Sequence, residues 1–517
     1  MTELWGFLMA MEVVVVVVVV VLMLLLFFGK MMHEWWHESK LGPHRRRSLP
    51  PGDMGFPFIG NMWSFLHAFK SHHPDSFIAS FVSRFDRIGI YKAFMFGSPT
   101  ILVTTPEICK IVLMDDERFI PGWPKSTCEL IGKRSFVGII HEEHKRLRRL
   151  TSKPINGHEA LSSYLKFIEE TVISTLDQWS SMGQIQFLTE LRKLTFKIIM
   201  HIFVSSESES MMEAMERVYT DLNYGMRAMA INLPGFAYHR ALKARKKLVA
   251  VLKSIIEKRR GKQDSEKKDM MDALMEVEDE NRKKLDDEEI IDILIMYLNA
   301  GHESSGHITM WATVFLQEHQ EYLQIAKLEQ EQIRKNIPQT QQGLTLKEYR
   351  QMEYLSKVID ETLRIVNISF VAFRQATTDV MIQDYIIPKD WKVQLWYRNV
   401  HMDPEVYPDP KAFKPSRWNV CYATTSSFNS LSCSSESMNY FQGLAPKAGT
   451  FLPFGGGSRL CPGNDLAKLE ISIFLHYFLL DYKLERLNPQ CPVRYLPHPR
   501  PTDNCLAKIT KFSSISM

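Results

Sequence analysis

Ten residues near the carboxyl end could do chemistry: Phe454-Gly455-Gly456-Gly457-Ser458-Arg459-Leu460-Cys461-Pro462-Gly463. They place one cysteine in a glycine-built turn, just ahead of an apolar-periodic helix that starts near Asn464. The glycines let backbone N–H groups crowd the sulfur, and the helix N-terminus adds partial positive charge. Both favour a thiolate. A thiolate left open on one side is how a protein ligates haem iron with strong electron donation, which suits O–O cleavage. The bland alternative is a buried cysteine in a glycine turn. A second stretch, Ala300-Gly301-His302-Glu303-Ser304-Ser305, interrupts an apolar run. Its small residues leave room for dioxygen, and a neighbouring carboxylate and hydroxyl can supply protons. Glycine in a helix interior costs about 1 kcal/mol relative to alanine, and the competing reading is a polar kink in a buried helix.

Both stretches need elements to hold them. Asp286 can cap a long helix and Glu289, three residues on, can complete a capping box. Apolar residues then run through Ile290, Ile291, Ile293, Leu294, Met296, Tyr297 and Leu298. That spread is too even for a surface helix, which predicts a buried one. Residues 352–364 predict an amphipathic helix ending in Glu361 and Arg364, by themselves a modest i,i+3 ion pair. Residues 141–150 predict a strongly basic helical segment, a solvated face for most of its charges. The charge-dense stretch 243–289 predicts exposed helix ends and a solvated loop.

The amino end is of another kind. Residues 13–28 are unbroken apolar, and 5–28 with Glu12 as one interruption can span about 30 Å of hydrocarbon. A cleaved signal peptide fits less well, because Glu3 and Glu12 stand where a basic cluster would be. Lys30, Lys40 and Arg45-Arg46-Arg47 follow, which places the remainder on the cytosolic side of a single-pass anchor. Leu49-Pro50-Pro51-Gly52 and Gly55-Phe56-Pro57 predict a stiff, extended connector. The organisation is thus an anchor over 1–29, a basic and proline-rich linker over 30–60, and a catalytic domain over 61–517. The net charge of +4 over 517 residues gives no case for nucleic-acid binding. Seven scattered cysteines show no zinc spacing and fit reduced thiols.

The spacing Phe-x-x-Gly-x-Arg-x-Cys-x-Gly is complete in 454–463 and resembles the signature of the cytochrome P-450 family. That resemblance covers residues 50–510. It implies a mainly α fold with small β-sheets and haem b between the central helix and the cysteine loop. It makes Cys461 the axial metal ligand, with Phe454 shielding the sulfur, Arg459 on a propionate, and Gly457 and Gly463 shaping the turn. Arg148, in His144-x-x-x-Arg148, and Arg374 inherit propionate roles, although the tryptophan usual at position 144 is absent. The family's Ala/Gly-Gly-x-Asp/Glu-Thr stands here as Ala300, Gly301, Glu303 and Ser304, with serine for threonine. Glu361, Arg364 and Arg417 are implied to form one buried charge network that positions the loop. The proline pair usual after that helix is replaced by Asn367-Ile368.

Membership implies a monooxygenase drawing electrons from NADPH through a reductase, on the endoplasmic reticulum membrane. Lys145, Arg146 and Arg149 would then face an acidic electron donor. Stretches such as His73-Pro74-Asp75-Ser76-Phe77 and Pro501-Thr502-Asp503-Asn504-Cys505 resemble members that oxidise ent-kaurenoic acid, a diterpenoid acid, in gibberellin synthesis. Oxidation of a triterpenoid or steroid is the alternative within the family. Arg148, Glu303, Arg374 and Cys461 would all surround one cofactor, and contacts spanning more than 300 positions argue for one catalytic domain rather than the three that length suggests. The serine-rich residues 419–444 are an insert against the family pattern. They predict a mobile surface loop, unspliced intron, or a disturbance of haem loading that leaves a haem-thiolate protein without oxygenase activity.

Overall fold

A computed structural model describes residues 2–71, 73–205, 209–226, 228, 230–261, 269–419 and 449–512. The serine-rich insert therefore lies outside the described residues, apart from Asn419. The chain forms two compact units, one from Met1–Gly122 with Val371–Asn399 and one from Trp123–Phe370 with Val400–Met517. The first is discontinuous because the strands of its sheet come from two distant stretches, so the chain leaves that unit and returns to it.

That sheet has strands β1 (Gly52–Asp53), β2 (Ile90–Met95), β3 (Ser98–Val103), β4 (Phe119–Pro121), β5 (Ala372–Ala376) and β6 (Lys392–Leu395). Their spatial order is β1-β2-β3-β6-β5-β4. β2 and β3 form a hairpin in register Ile90 to Val103, turning at Phe96-Gly97. β6 joins β3 in parallel. Buried Ile90, Tyr91, Ile101, Leu102 and Val393 make its core.

Helix α1 (Thr2–Ser39) belongs to the same unit. Its stretch Val13–Ser39 is long and apolar enough to cross a membrane, and the apolar side chains from Val13 to Phe28 are exposed. Of the linker expected over 30–60, residues 30–39 continue this helix. Lys30, Glu34 and Glu38 repeat at four-residue spacing on one helix face. Lys30 Nζ meets Asp53 Oδ2 at 2.8 Å, and Lys92 Nζ meets Glu34 at 2.7 Å and Glu38 at 2.5 Å. The His33 and His37 rings lie 4.6 and 5.1 Å from that of Phe94. These ties keep the helix running to Ser39, and a short helix Gly42–Arg47 follows before Pro50-Pro51 break the pattern.

The second unit is helical, with α2 (His141–Asn156), α3 (Phe187–Val204), α4 (Asp287–Glu318), α5 (Glu353–Val366) and α6 (Asn464–Asp481) as the elements that matter most here. α4 starts at the predicted capping box, Asp286 Oδ1 accepting from Glu289 N at 2.8 Å and Glu289 Oε2 accepting from Asp286 N at 2.9 Å. It is buried along most of its length and packs against α3, α5 and α6. The charges of 243–289 are less solvated than predicted. Arg259 is held by Asp269 and Asp272 at 2.6 and 2.7 Å, and Arg245 by Asp292 at 2.5 Å. These arginines tie helix Ala237–Arg260 to its neighbours. A three-stranded sheet of Ile185–Gln186, Tyr482–Arg486 and Leu506–Lys511 completes the unit.

Candidate functional site

The cysteine turn is built by its glycines. Gly455 (φ 79°) and Gly457 (φ 69°) take left-handed conformations that an L side chain rarely adopts. With them the chain folds back, and the Cys461 N–H donates to the Phe454 carbonyl at 2.9 Å. The short 3-10 turn Gly457–Arg459 aims Arg459 at α2's entry, where its guanidinium donates to the Phe136 and Ile139 carbonyls at 3.3 Å each. Gly463 is the cap residue of α6.

Burial pushes the Cys461 thiol up, and the Gly463 N–H and the Arg148 charge offset this only in part. The Gly463 N–H thus acts toward the thiolate as the sequence reading expects, but burial outweighs it in the turn by itself. A coordinated metal ion is what removes such a proton outright.

Arg148, on α2, is half-buried with its guanidinium 5.8 Å from the centre of the Phe136 ring. His144, one turn earlier, is buried with its ring 5.5 Å from the same phenylalanine. An open cavity of about 380 Å³ lies beside them, lined by His144, Lys145, Arg148, Arg149, Ser152 and Ser458. Arg146 points elsewhere: it is paired with Asp279 at 2.7 Å and Glu289 at 3.0 Å. Of the three cations expected to meet an electron donor, Arg146 is thus a structural tie, because its turn of α2 faces α4's start. Lys145 and Arg149 stay exposed, in surface pairs with Glu142 and Glu280.

Glu361, Arg364 and Arg417 come together. Arg364 spans the Glu361 carboxylate with Nε at 2.9 Å and Nη2 at 2.8 Å, and neither side chain is accessible. Arg417 Nε, Trp418 Nε1 and the Lys414 N–H add bonds of 3.1, 3.2 and 3.0 Å to the same carboxylate. Arg364 also donates to the carbonyls of His401 and Pro410 at 2.9 and 2.8 Å. His401 Nε2 accepts from Leu452 N at 2.8 Å, and Tyr407 OH donates to the Thr450 carbonyl at 3.1 Å. The network is thereby joined to the strand of chain that enters the cysteine turn.

On α4, buried residues flank a short gap: Ala300 is exposed and Ser304, one turn on, half-buried. The Ser304 hydroxyl donates to the Ala300 carbonyl at 2.7 Å. Gly301 faces α3 instead, where a Cβ would sit 3.2 Å from Ile199 Cδ1. Its small size lets two helices approach. Glu303 is buried and paired through Oε1 with Arg192 Nη2 at 2.5 Å.

A haem group fits these residues. The central helix opens at Ala300 and Ser304 although both flanks are buried, and a Cβ on Gly463 would meet nothing within 4 Å. Cys461 is a soft donor that follows the Gly457–Arg459 turn. Arg374, which the family resemblance also gives to a propionate, belongs to the first unit, where it is buried.

Arg192, His307, His401, Glu470 and His498 were not legible as site residues. Each stands alone in sequence, and only the fold supplies its partner. Glu470 on α6 is buried, and that burial raises its carboxyl to about 8, the Ser305 hydroxyl beside it offsetting part of the shift. The folded chain keeps a proton that the unfolded chain releases near 4.5. This contribution to stability is complete below that pH and is lost as pH rises toward 8. Thermal unfolding from pH 5 to 8 should show the wild type losing stability relative to Glu470→Gln; parallel curves would refute the assignment.

A helical unit that presents one cysteine from a glycine turn, ahead of a buried helix and tied to a buried Glu–Arg–Arg network, defines the haem-thiolate class of oxygenases. The chain belongs to the cytochrome P450 family, whose model matches residues 50–502. It is 61% identical over 488 residues to the ent-kaurenoic acid oxidase of Oryza sativa subsp. japonica, covering 93% of this chain and 92% of that one. It is 62% identical over 487 residues to ent-kaurenoic acid oxidase 2 of Arabidopsis thaliana, with 93% and 94% covered. A 7,8-epoxymelianol synthase of Ailanthus altissima is 53% identical over 487 residues, with 93% of each covered. Among solved structures, the retinoic acid bound cyanobacterial CYP120A1 matches with a TM-score of 0.76 at 26% identity, covering 90% of this chain and 99% of that one. The protein is a haem-dependent monooxygenase that takes NADPH-derived electrons from a reductase and acts on a terpenoid.

Proposed function

We propose that this enzyme oxidises ent-kaurenoic acid in successive steps to a gibberellin precursor. The observation that carries this reading is identity of 61–62% along nearly the whole chain to oxidases named for that acid. The family resemblance implies hydroxylation, then ring contraction to an aldehyde, then oxidation to the acid. Haem, held through Cys461, supplies the redox and oxygen chemistry. The chain's own residues hold the group and control protons. Arg148 and Arg459 are the cations of the second unit placed for its propionates, and Phe454 covers the sulfur. Ala300 leaves the gap on α4 beside which substrate and oxygen meet, while Gly301 brings α3 close. Ser304 and Glu303 deliver protons there, the hydroxyl held toward the Ala300 carbonyl until it is needed.

Location in the endoplasmic reticulum membrane, with the catalytic part on the cytosolic side, is supported by the exposed apolar helix and the cations Lys30, Lys40 and Arg45-Arg46-Arg47 after it. Lipid contact follows from that helix. Lys145 and Arg149, on the rim of the basic cavity, suit an acidic face of the reductase.

A second reading, oxidation of a triterpenoid, is favoured by the 53% identity to the epoxymelianol synthase. Full-length protein with reductase and NADPH separates the two. Mass spectrometry should show NADPH-dependent loss of ent-kaurenoic acid with successively oxidised products. An untouched diterpenoid acid beside a consumed triterpenoid would overturn the first reading in favour of the second.

A further inference from the structure

Glu303 is buried, with 3% of its side chain accessible, so a carboxyl that gives up a proton there must be recharged by a neighbour. One oxygen is taken by Arg192, a group that does not titrate. The other, Oε2, lies 3.9 Å from His498 Nε2. His498 Nδ1 sits 3.1 Å from the Ile368 carbonyl, and a carbonyl only accepts, so Nδ1 carries hydrogen and Nε2 faces the carboxylate. The His498 side chain is 22% accessible and reaches solvent. His307, its ring 5.2 Å away, completes the cluster, with Nδ1 2.6 Å from the Glu303 carbonyl. Burial and the neighbouring His498 hold His307 well below the usual imidazole range, so it stands by as a neutral ring. Among the described residues of this cluster, His498 is the imidazole that keeps contact with water.

We infer that His498 is the residue through which protons enter the site, passing them from solvent to Glu303 while Arg192 holds the carboxylate in place. The inference rests on the proton-delivery role given above to Glu303. In the step, the His498 Nε2–H bond breaks as a proton bonds to Glu303 Oε2, an approach of about 1 Å bringing the pair within the 2.6–3.2 Å reach of transfer. His498 then regains a proton from water. No electron moves, and the cycle repeats for each proton that oxygen reduction consumes. From α3 and α4, Arg192, Glu303 and His307 are the charged or titratable groups that the described contacts bring to this cluster.

Two measurements on the full-length holoenzyme test this. In the first, diethyl pyrocarbonate modifies His498 at Nε2, and the modified peptide is counted by mass spectrometry. Glu303→Gln should quicken modification about threefold or more, because the carboxylate no longer engages that nitrogen; equal rates would overturn the contact. In the second, His498→Gln should keep haem content and substrate affinity but send severalfold more NADPH to hydrogen peroxide. An uncoupled Glu303→Gln beside a fully coupled His498→Gln would overturn the entry route alone. A fully coupled Glu303→Gln would overturn the Glu303 role and this inference with it.

Discussion

Arg364→Leu is expected to leave little folded enzyme. Its guanidinium is wholly buried, spans both oxygens of Glu361 and donates to the backbone carbonyls of His401, Pro410 and Ala412. Leucine would fill part of the volume but leave those acceptors unsatisfied and the carboxylate under-compensated. Breaking a buried pair on one side costs about 3–5 kcal/mol, set against a total stability of about 5–15 kcal/mol. Arg417 and Trp418 remain on Glu361, so the loss should sit within that range. Denaturant unfolding of haem-loaded protein measures it. Arg364→Lys should rescue little, since an ammonium cannot span the carboxylate and reach the His401 and Pro410 carbonyls together. A leucine variant with an unchanged midpoint would show that the network contributes nothing to the fold.

Cys461→Ser should be the most damaging change to activity. The substitution is nearly isosteric and keeps the 2.9 Å backbone bond from position 461 to Phe454, so the turn should survive. A hydroxyl is a much poorer donor to iron than a thiolate and cannot support the same oxygen chemistry. Loss of groups that merely orient a metal ligand costs about 10–100-fold, and loss of the ligand itself should exceed about 100-fold in product formation. Product assay beside a haem-content assay separates poor loading from poor chemistry. Activity within tenfold of wild type would remove Cys461 from its role.

Much of the site is legible in the sequence, for identifiable reasons. The cysteine turn needs left-handed glycines at 455 and 457, so its geometry is written in residue types. The start of α4 is a local hydrogen-bond exchange between Asp286 and Glu289, visible at three-residue spacing. What was hidden depends on partners far apart in the chain. Arg146 looked like a surface cation until Asp279 and Glu289 closed on it. Gly301 looked like room for oxygen until Ile199 of α3 stood against it. The helix beyond residue 29 continues because Asp53 and Lys92, on other elements, reward its face. Arg192 and His498 carry no motif at all, and 111 residues separate Arg192 from the carboxylate that it holds.

The account turns on a sulfur–iron bond at one position. Full-length protein, reduced and exposed to carbon monoxide, should show the red-shifted absorption band of a thiolate-ligated haem, and Cys461→Ser should lack it. A wild-type spectrum without that band from haem-loaded protein, or an identical band in the serine variant, would contradict the assignment.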